Sequence, residues 1–484
     1  MIRIFKHYIS RWSLLLFCSE SGLFLLAIYA GVALRFLGAP HDEDIHSDMM
    51  VAKALFFAIA MSIGMTATGR YQRVMEDGWI GEMLRILLSF VIGLVALSLL
   101  FYFFPVLFIG RGAFGLALIV AFISILINRW FFIQFILDRD VTRRRVLVLG
   151  TGHRARLLTQ RLPLSGRDYT ILGFLAIDDR QSIEIDPALC IYNQDPLPQL
   201  VSDQQIDELV IASSYPLSPE IMHDMMDTKV EGVEVMDLAL FLERQQRLIH
   251  IDVIDPDWWV ANSDGINQGT LREISKKSFD ILISLVLVLT TWPIMLLTAA
   301  AIWIECLGKE PIFFRQPRVG FGGRIIHILK FRSMRSDAEE DGIARWAQPN
   351  DTRVTRIGWF IRKTRIDELP QFLNVLRGEM SLVGPRPERP EFVHVLEKKI
   401  PFFNERLRVK PGITGWAQVS YGYGASEEDA AEKLKYDLYY VKNHSLFFDI
   451  LVLIHSVDVV LFGRGAETSL SHEIETGKDS SSSS

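Results

Sequence analysis

Cysteine is scarce. The 484 residues hold three, Cys18, Cys190 and Cys306, at no paired spacing. That excludes a disulfide framework and a Cys-rich zinc site, and it fits a reduced, cytosol-facing protein. A basic surplus is missing as well: the net charge is -6, so nothing points to nucleic acid. No small-residue cleavage site follows the first apolar run, so the N-terminus reads as an anchor and not as a removed leader. Polar balance is also short. Half of the residues are hydrophobic and the mean hydropathy is +0.23, so membrane segments are expected.

Four apolar runs lie in the first 140 residues, near 13–37, 49–68, 80–104 and 114–137. Each approaches the roughly 20 residues needed to span a bilayer. Arg3, Lys6 and Arg11 precede the first run, Arg70, Arg73 and Arg85 bracket the second and third, and Arg139, Arg143, Arg144 and Arg145 follow the fourth. The first loop, HDEDIHSD, is acidic, and the loop after the third run carries only Arg111. Basic residues thus gather on one side, which puts both ends of the block in the cytoplasm. Glu20 lies inside the first run and is expected to face a neighbouring helix or a partner chain. A homodimer is compatible with this.

Residues 141–265 read as a small parallel α/β domain. RRVLVLGTGHRARLL is a strand, a tight turn and a helix, and Gly150, Gly152 and Ala155 form G-x-G-x-x-A. TILGFLAIDD, DELVIAS and VEVMDL supply further strands, with Asp178 and Asp179 where a ribose-binding acid would stand. The domain is about half a full dinucleotide fold. It reads as a degenerate Rossmann-like domain sooner than a working NAD site, since fold alone does not imply function.

The apolar stretch 279–306 is long enough to cross a membrane. Pro293 interrupts it, and both flanks are basic: Arg272, Lys276 and Lys277 before, Lys309, Arg315 and Arg318 after. A spanning helix would send one cluster outside. A bent, re-entrant helix keeps both in the cytoplasm, and that is the expectation. Lys309, Arg315, Arg318, Arg324, Lys330, Arg332 and Arg335 then face a single acid, Glu310. Such a one-sided run suits lipid headgroups and a phosphate-bearing substrate. ILKFRSM alternates like a strand, with Lys330 and Arg332 on one face.

The chain then converges on TRIDELPQFLNVLRGEMSLVGPRPERP, 364–390. Asp367 and Glu368 begin a short helix through Leu369, Phe372, Leu373 and Leu376, with Gly378 as its stop. Pro370 belongs in a first turn, so Asp367 falls at the N-cap. Arg386 follows on a loop stiffened by Pro385 and Pro387. A carboxylate can attack phosphorus and split one displacement into two. Its neighbour can hold Mg²⁺, which binds through one or two carboxylates plus substrate phosphates. The pair therefore suits phosphoryl transfer between a soluble diphosphate and a lipid phosphate. Glycoside hydrolysis needs carboxyls facing each other across about 5–9.5 Å, which sequence neighbours rarely do.

KFRSM at 330–334, DELPQFLNVLRGEMSLVGPRP at 367–387 and KPGITGWAQVS at 410–420 resemble the bacterial sugar transferase family, the polyprenyl-phosphate glycosyl-1-phosphate transferases. The resemblance spans Arg272 to Ala466, and the region before it is similar to the large members that initiate exopolysaccharide or O-antigen synthesis. It implies that Asp367 takes the sugar phosphate from a UDP-sugar and releases UMP, and that Glu368 helps bind Mg²⁺. Arg386, between Pro385 and Pro387, would bind phosphate or nucleotide. Lys330, Arg332 and Arg362 would steady the diphosphate, and undecaprenyl (polyprenyl) phosphate would take the sugar phosphate from Asp367. Where other members carry an Asn-Gly-Arg-like sequence after Gln418-Val419, this chain has Ser-Tyr-Gly-Tyr, so the sugar is left open.

The expected whole is a multi-domain membrane protein of the bacterial inner membrane with a cytoplasmic active site. Residues 1–140 form a four-helix transmembrane bundle, 141–265 the Rossmann-like domain, and 272–466 an α/β catalytic domain with a re-entrant helix. Residues 445–462 carry Asp449, His455 and Asp458, costly in a spanning helix, and read as an interfacial amphipathic helix. Residues 467–484 read as a disordered tail. Two rivals stand beside this. A membrane-anchored NAD-dependent dehydratase or epimerase needs a Tyr-x-x-x-Lys pair, which Tyr436–Tyr440 does not supply. A non-enzymatic assembly scaffold would leave Asp367 as a cap.

Overall fold

The computed structural model describes the chain except residues 1, 5–6, 10, 37–48, 68–77, 109, 133, 135–142, 167, 178–182, 193–195, 264–269, 336–352, 423, 425 and 463–484. Asp178 and Asp179, Arg70, Arg73, Arg139, the whole of the first acidic loop and the tail therefore lie outside the described residues. So do the side chains of Arg3, Lys6, Arg11, Arg85 and Asp458. The chain forms two compact units, essentially Tyr8–Val253 and Ile254–Ser484.

The first unit begins with helices α1 (Arg11–Arg35), α2 (Met50–Ala67), α3 (Gly78–Phe103) and α4 (Arg111–Phe132). All are apolar around most of their circumference. Leu26, Ile59, Leu99 and Ile127 are exposed, while Phe24, Phe57 and Ala117 are fully buried. α1 packs on α4 and α2, and α2 on α3. Gly31 is what lets α1 meet α4: a Cβ there would lie 2.6 Å from the Ala117 backbone nitrogen. Inside this packing Glu20 and Arg129 form a two-point ion pair, Nε to Oε1 at 2.6 Å and Nη2 to Oε2 at 3.2 Å. Glu20 is 0% and Arg129 1% exposed. The expected neighbour of Glu20 is thus a helix of the same chain.

A five-stranded parallel sheet follows. Its elements are β1 (Arg144–Leu149), α5 (His153–Arg161), β2 (Tyr169–Leu175), β3 (Cys190–Ile191), α6 (Leu197–Asp203), β4 (Glu208–Ile211), α7 (Pro219–Val230), β5 (Glu234–Asp237) and α8 (Leu238–Gln246). The order β3-β2-β1-β4-β5 is that of the first five strands of a dinucleotide-binding sheet. Near the N-terminus of α5 the chain's own Glu184 lies 3.6 Å from His153 and 3.8 Å from Arg156. β3 escapes sequence reading because two residues carry no period.

The second unit starts with α9 (Pro256–Asn262) and α10 (Thr270–Glu305), 36 residues long with Pro293 inside. A hairpin pairs β6 (Phe313–Val319) with β7 (Ile325–Phe331), setting Phe314 opposite Lys330. After α11 (Arg356–Lys363), a 3-10 turn (Ile366–Gln371) leads into α12 (Phe372–Leu376). β8 (Ser381–Val383) lies parallel to β9 (Gly412–Thr414), with α13 (Pro390–Lys399) between them in sequence. Helices α14 (Trp416–Ser420), α15 (Glu427–Asn443) and α16 (Leu446–Phe462) close the unit around Trp416, Tyr439 and Phe448.

Both ends of α10 pack on this α/β core. Near its start Asp280 accepts from Ser381 Oγ at 2.8 Å, and Lys276 donates to Asp449 of α16 at 2.7 Å. Near its end Ile302 joins Phe331 and Ile361 in one apolar cluster, and Glu305 accepts from the Ile357 backbone nitrogen at 3.2 Å. By length and composition five helices among the described residues, α1–α4 and α10, could cross a membrane. The chain is a membrane protein.

Candidate active site

The 3-10 turn and the loop after β8 bring the acids and cations together. Pro370 has no N–H, so the chain cannot run as one α-helix through it and tightens into i→i+3 turns first. This corrects the capping expectation. Arg365 takes the N-cap place in a left-handed conformation, φ 59°, and Asp367 caps nothing. Gly378, at φ 76°, closes α12 as expected.

Glu368 Oε1 collects the cations. Lys330 Nζ donates to it at 3.0 Å and Arg386 Nη2 at 2.7 Å, and Arg365 Nη1 lies 3.8 Å away. Among the described residues, none bonds to Oε2. Asp367 Oδ1 is buried with no hydrogen-bond partner among the described residues, and so is Gln371 Nε2 one turn on. Buried polar atoms are rarely left so, and two on one turn mark a place shaped for something else to bind.

Charge follows this geometry. Burial, then the charge of Glu368, pushes the Asp367 carboxyl up, against Lys330, Arg365 and Arg362. Burial alone would raise Glu368 too, but Arg386, Lys330 and Arg365 hold it well below the usual carboxylate range. Lys330 is pushed down by burial, against the pull of Glu368. Adjacent acids are thus split: one firmly ionised, the other costly to ionise and correspondingly basic.

Each partner has a fixed support. Asn374 accepts from the Leu329 backbone nitrogen at 3.0 Å and donates to the His327 carbonyl at 2.8 Å, locking α12 to the strand that carries Lys330. Gly384 lets the arginine loop lie against β9: a Cβ there would sit 2.3 Å from the Lys410 carbonyl. Pro385 and Pro387 are buried on either side of Arg386. The Pro385 carbonyl accepts from Gly412 N at 2.9 Å and the Pro387 carbonyl from Arg318 at 3.1 Å.

The structure brings Asp367, Glu368, Lys330 and Arg386 together, and the charge of Arg362 pulls the Asp367 carboxyl down. It does not bring Arg332. β7 ends at Phe331, the strand alternation stops, and Arg332 instead donates to the Pro311 carbonyl at 2.9 Å and pairs with Glu310 at 3.3 Å. Sequence reasoning missed Asn374 and the role of Arg365, because neither spacing nor charge sets them apart from surface residues.

No cluster of three or more metal-ligating side chains occurs among the described residues. Mg²⁺ does not need one: a single carboxylate oxygen beside substrate phosphates suffices. Glu368, with one oxygen held by cations and the other open, fits that demand.

The sequence profile for bacterial sugar transferases matches residues 271–463. A UDP-N-acetylgalactosamine-undecaprenyl-phosphate N-acetylgalactosaminephosphotransferase of Aeromonas hydrophila is 49% identical over 191 residues, which cover 40% of this chain and 44% of that protein. A UDP-glucose:undecaprenyl-phosphate glucose-1-phosphate transferase of Xanthomonas campestris pv. campestris is 28% identical over 375 residues, 72% of this chain and 73% of the relative. A protein of that same description from Caulobacter vibrioides is 39% identical over 191 residues, 39% of this chain and 70% of the relative. The chain thus spans about half the length of some of these relatives and most of others.

Proposed function

The chain belongs to the bacterial sugar transferase family, and we propose that it moves a sugar-1-phosphate from a UDP-sugar to undecaprenyl phosphate, with release of UMP. The observation that carries this is Asp367 Oδ1, buried and unpartnered beside a carboxylate that gathers three cations. An oxygen of Asp367 attacks the sugar-linked phosphorus. A phosphorus–carboxylate bond forms, the bond to the bridging oxygen breaks, and UMP leaves with that oxygen and its electron pair. An oxygen of the lipid phosphate then attacks the same phosphorus and returns Asp367 as a free carboxylate. Lys330, Arg362 and Arg386 offset the phosphate charge. Glu368 would hold Mg²⁺, which neutralises diphosphate charge when bound.

The membrane arrangement belongs to the same proposal. α1–α4 form a transmembrane bundle with both ends in the cytoplasm, and α10 enters the cytoplasmic leaflet and returns. Its attachments to the core at Asp280 and at Ile302 support this, since a helix crossing the bilayer would carry one of them away. α16 lies at the interface with Asp449 turned inward. The reaction would be the first membrane step of an exopolysaccharide or O-antigen-type polymer. Purified protein given UDP-sugars, Mg²⁺ and undecaprenyl phosphate should release UMP, and Asp367→Asn should not. UMP release that survives Asp367→Asn removes the nucleophile, and Gly320→Cys labelled from outside the cell removes the re-entrant helix.

A further inference from the structure

The loop that carries Arg386 stands over a shallow cleft lined in part by Pro385, Arg386, Pro387, Phe403 and Arg406. Packing alone does not hold its shape. Instead Arg406 Nη2 donates to the backbone carbonyl of Arg386 itself at 2.7 Å. The same nitrogen lies 2.8 Å from Asp437 Oδ2. Arg406 stacks over Phe403 at 5.2 Å, and both partners are buried, Asp437 at 2% and Arg406 at 9% exposure. Arg406 comes from the 3-10 turn Phe403–Arg408 and Asp437 from α15, far in sequence from the acids.

We propose that Arg406 and Asp437 are positioning residues: they fix the carbonyl of Arg386 and so aim its guanidinium at Glu368 and the bound phosphates. This rests on the transferase reading above. A buried ion pair is weak evidence for stability, since desolvation offsets much of the attraction. A pair that touches the backbone of a phosphate-binding arginine is better understood as pre-organisation. The charged groups facing Asp437 are Arg406, Glu388 and Lys433. Burial foremost, with Glu388, outweighs Arg406 and Lys433 and pushes Asp437 up to about 6. The brace is therefore charged above that pH and weakens below it, as Asp437 takes up a proton.

The test compares full-length wild type and Asp437→Asn in detergent, by the kcat/KM for UMP release from a UDP-sugar between pH 5 and 8. The wild-type advantage should be about tenfold at pH 8, the value of one charged hydrogen bond, and should shrink toward one at pH 5. Titration of Asp367 cancels in that ratio. Asp437→Glu should recover most of the loss at pH 8. A ratio that stays constant with pH, or equals one throughout, overturns the brace. Should Asp437→Asn not fold, Arg406→Lys takes its place: it keeps the charge and loses the fork, so activity should fall about tenfold with melting little changed, and unchanged activity overturns the proposal. Wild type that releases no UMP from any UDP-sugar rejects the transferase reading instead.

Discussion

Two buried acids in this protein meet arginine in opposite ways. Glu20 has both oxygens bonded to Arg129 and sees no solvent. Glu368 receives Lys330 and Arg386 on one oxygen, with the other open and Asp367 Oδ1 unpartnered beside it. The first pair is closed and leaves nothing for a ligand. The second is incomplete, with a surplus of positive charge that a diphosphate would match. Burial and an arginine do not make a site; unmet valence does.

The sharpest way to break this comparison is Asp367→Asn. UMP release should drop at least about a thousandfold, as for other lost nucleophiles, while the melting temperature holds, because an unpartnered carboxylate contributes little to the fold. Glu20→Gln should do the reverse. It leaves Arg129 buried without its counter-charge, which costs about 3–5 kcal/mol, read as denaturation in detergent, with kcat/KM per folded molecule unchanged. Arg386→Lys tests the open site's geometry. The ammonium keeps the charge but not the fork, and kcat/KM should fall about a hundredfold.

Smaller effects follow from pH. On the proposed reaction Asp367 would attack as a carboxylate, and its pKa is raised, so kcat should decline as pH falls through a value above the ordinary Asp range. Glu368 moves the other way. Its folded pKa is depressed, so it contributes stability that is present above its unfolded value of about 4.3 and is lost as pH falls through the folded one. Acid melts of wild type against Glu368→Gln should converge only there. Asn374→Ala should cost about 1–2 kcal/mol through the orphaned Leu329 and His327 groups, with a few-fold loss in UMP release from a looser Lys330.

Much of the second unit was legible in the sequence because its chemistry is local. Asp367, Glu368, Pro370 and Arg386 fall within 20 residues, and Pro385 and Pro387 announce a stiff loop. What stayed hidden depends on distant chain. Arg406 and Asp437 are separated from Arg386 by 20 and 51 positions, and neither stands out by charge or period. The exit of Arg332 from the site hinged on where β7 ends, a boundary that alternation does not fix. The partner of Glu20 likewise depended on helix packing, which an all-apolar pattern leaves undetermined.

Arg365 stands two residues before Asp367 with φ 59°, a conformation that disfavours any side chain. Glycine would remove that strain, on the order of 1–2 kcal/mol. It would also take away the guanidinium 3.8 Å from Glu368. Position 365 is therefore a bargain between backbone and charge, and the presence of arginine sets a floor on the charge's worth. Arg365→Gly should give a protein that is harder to unfold and slower to turn over.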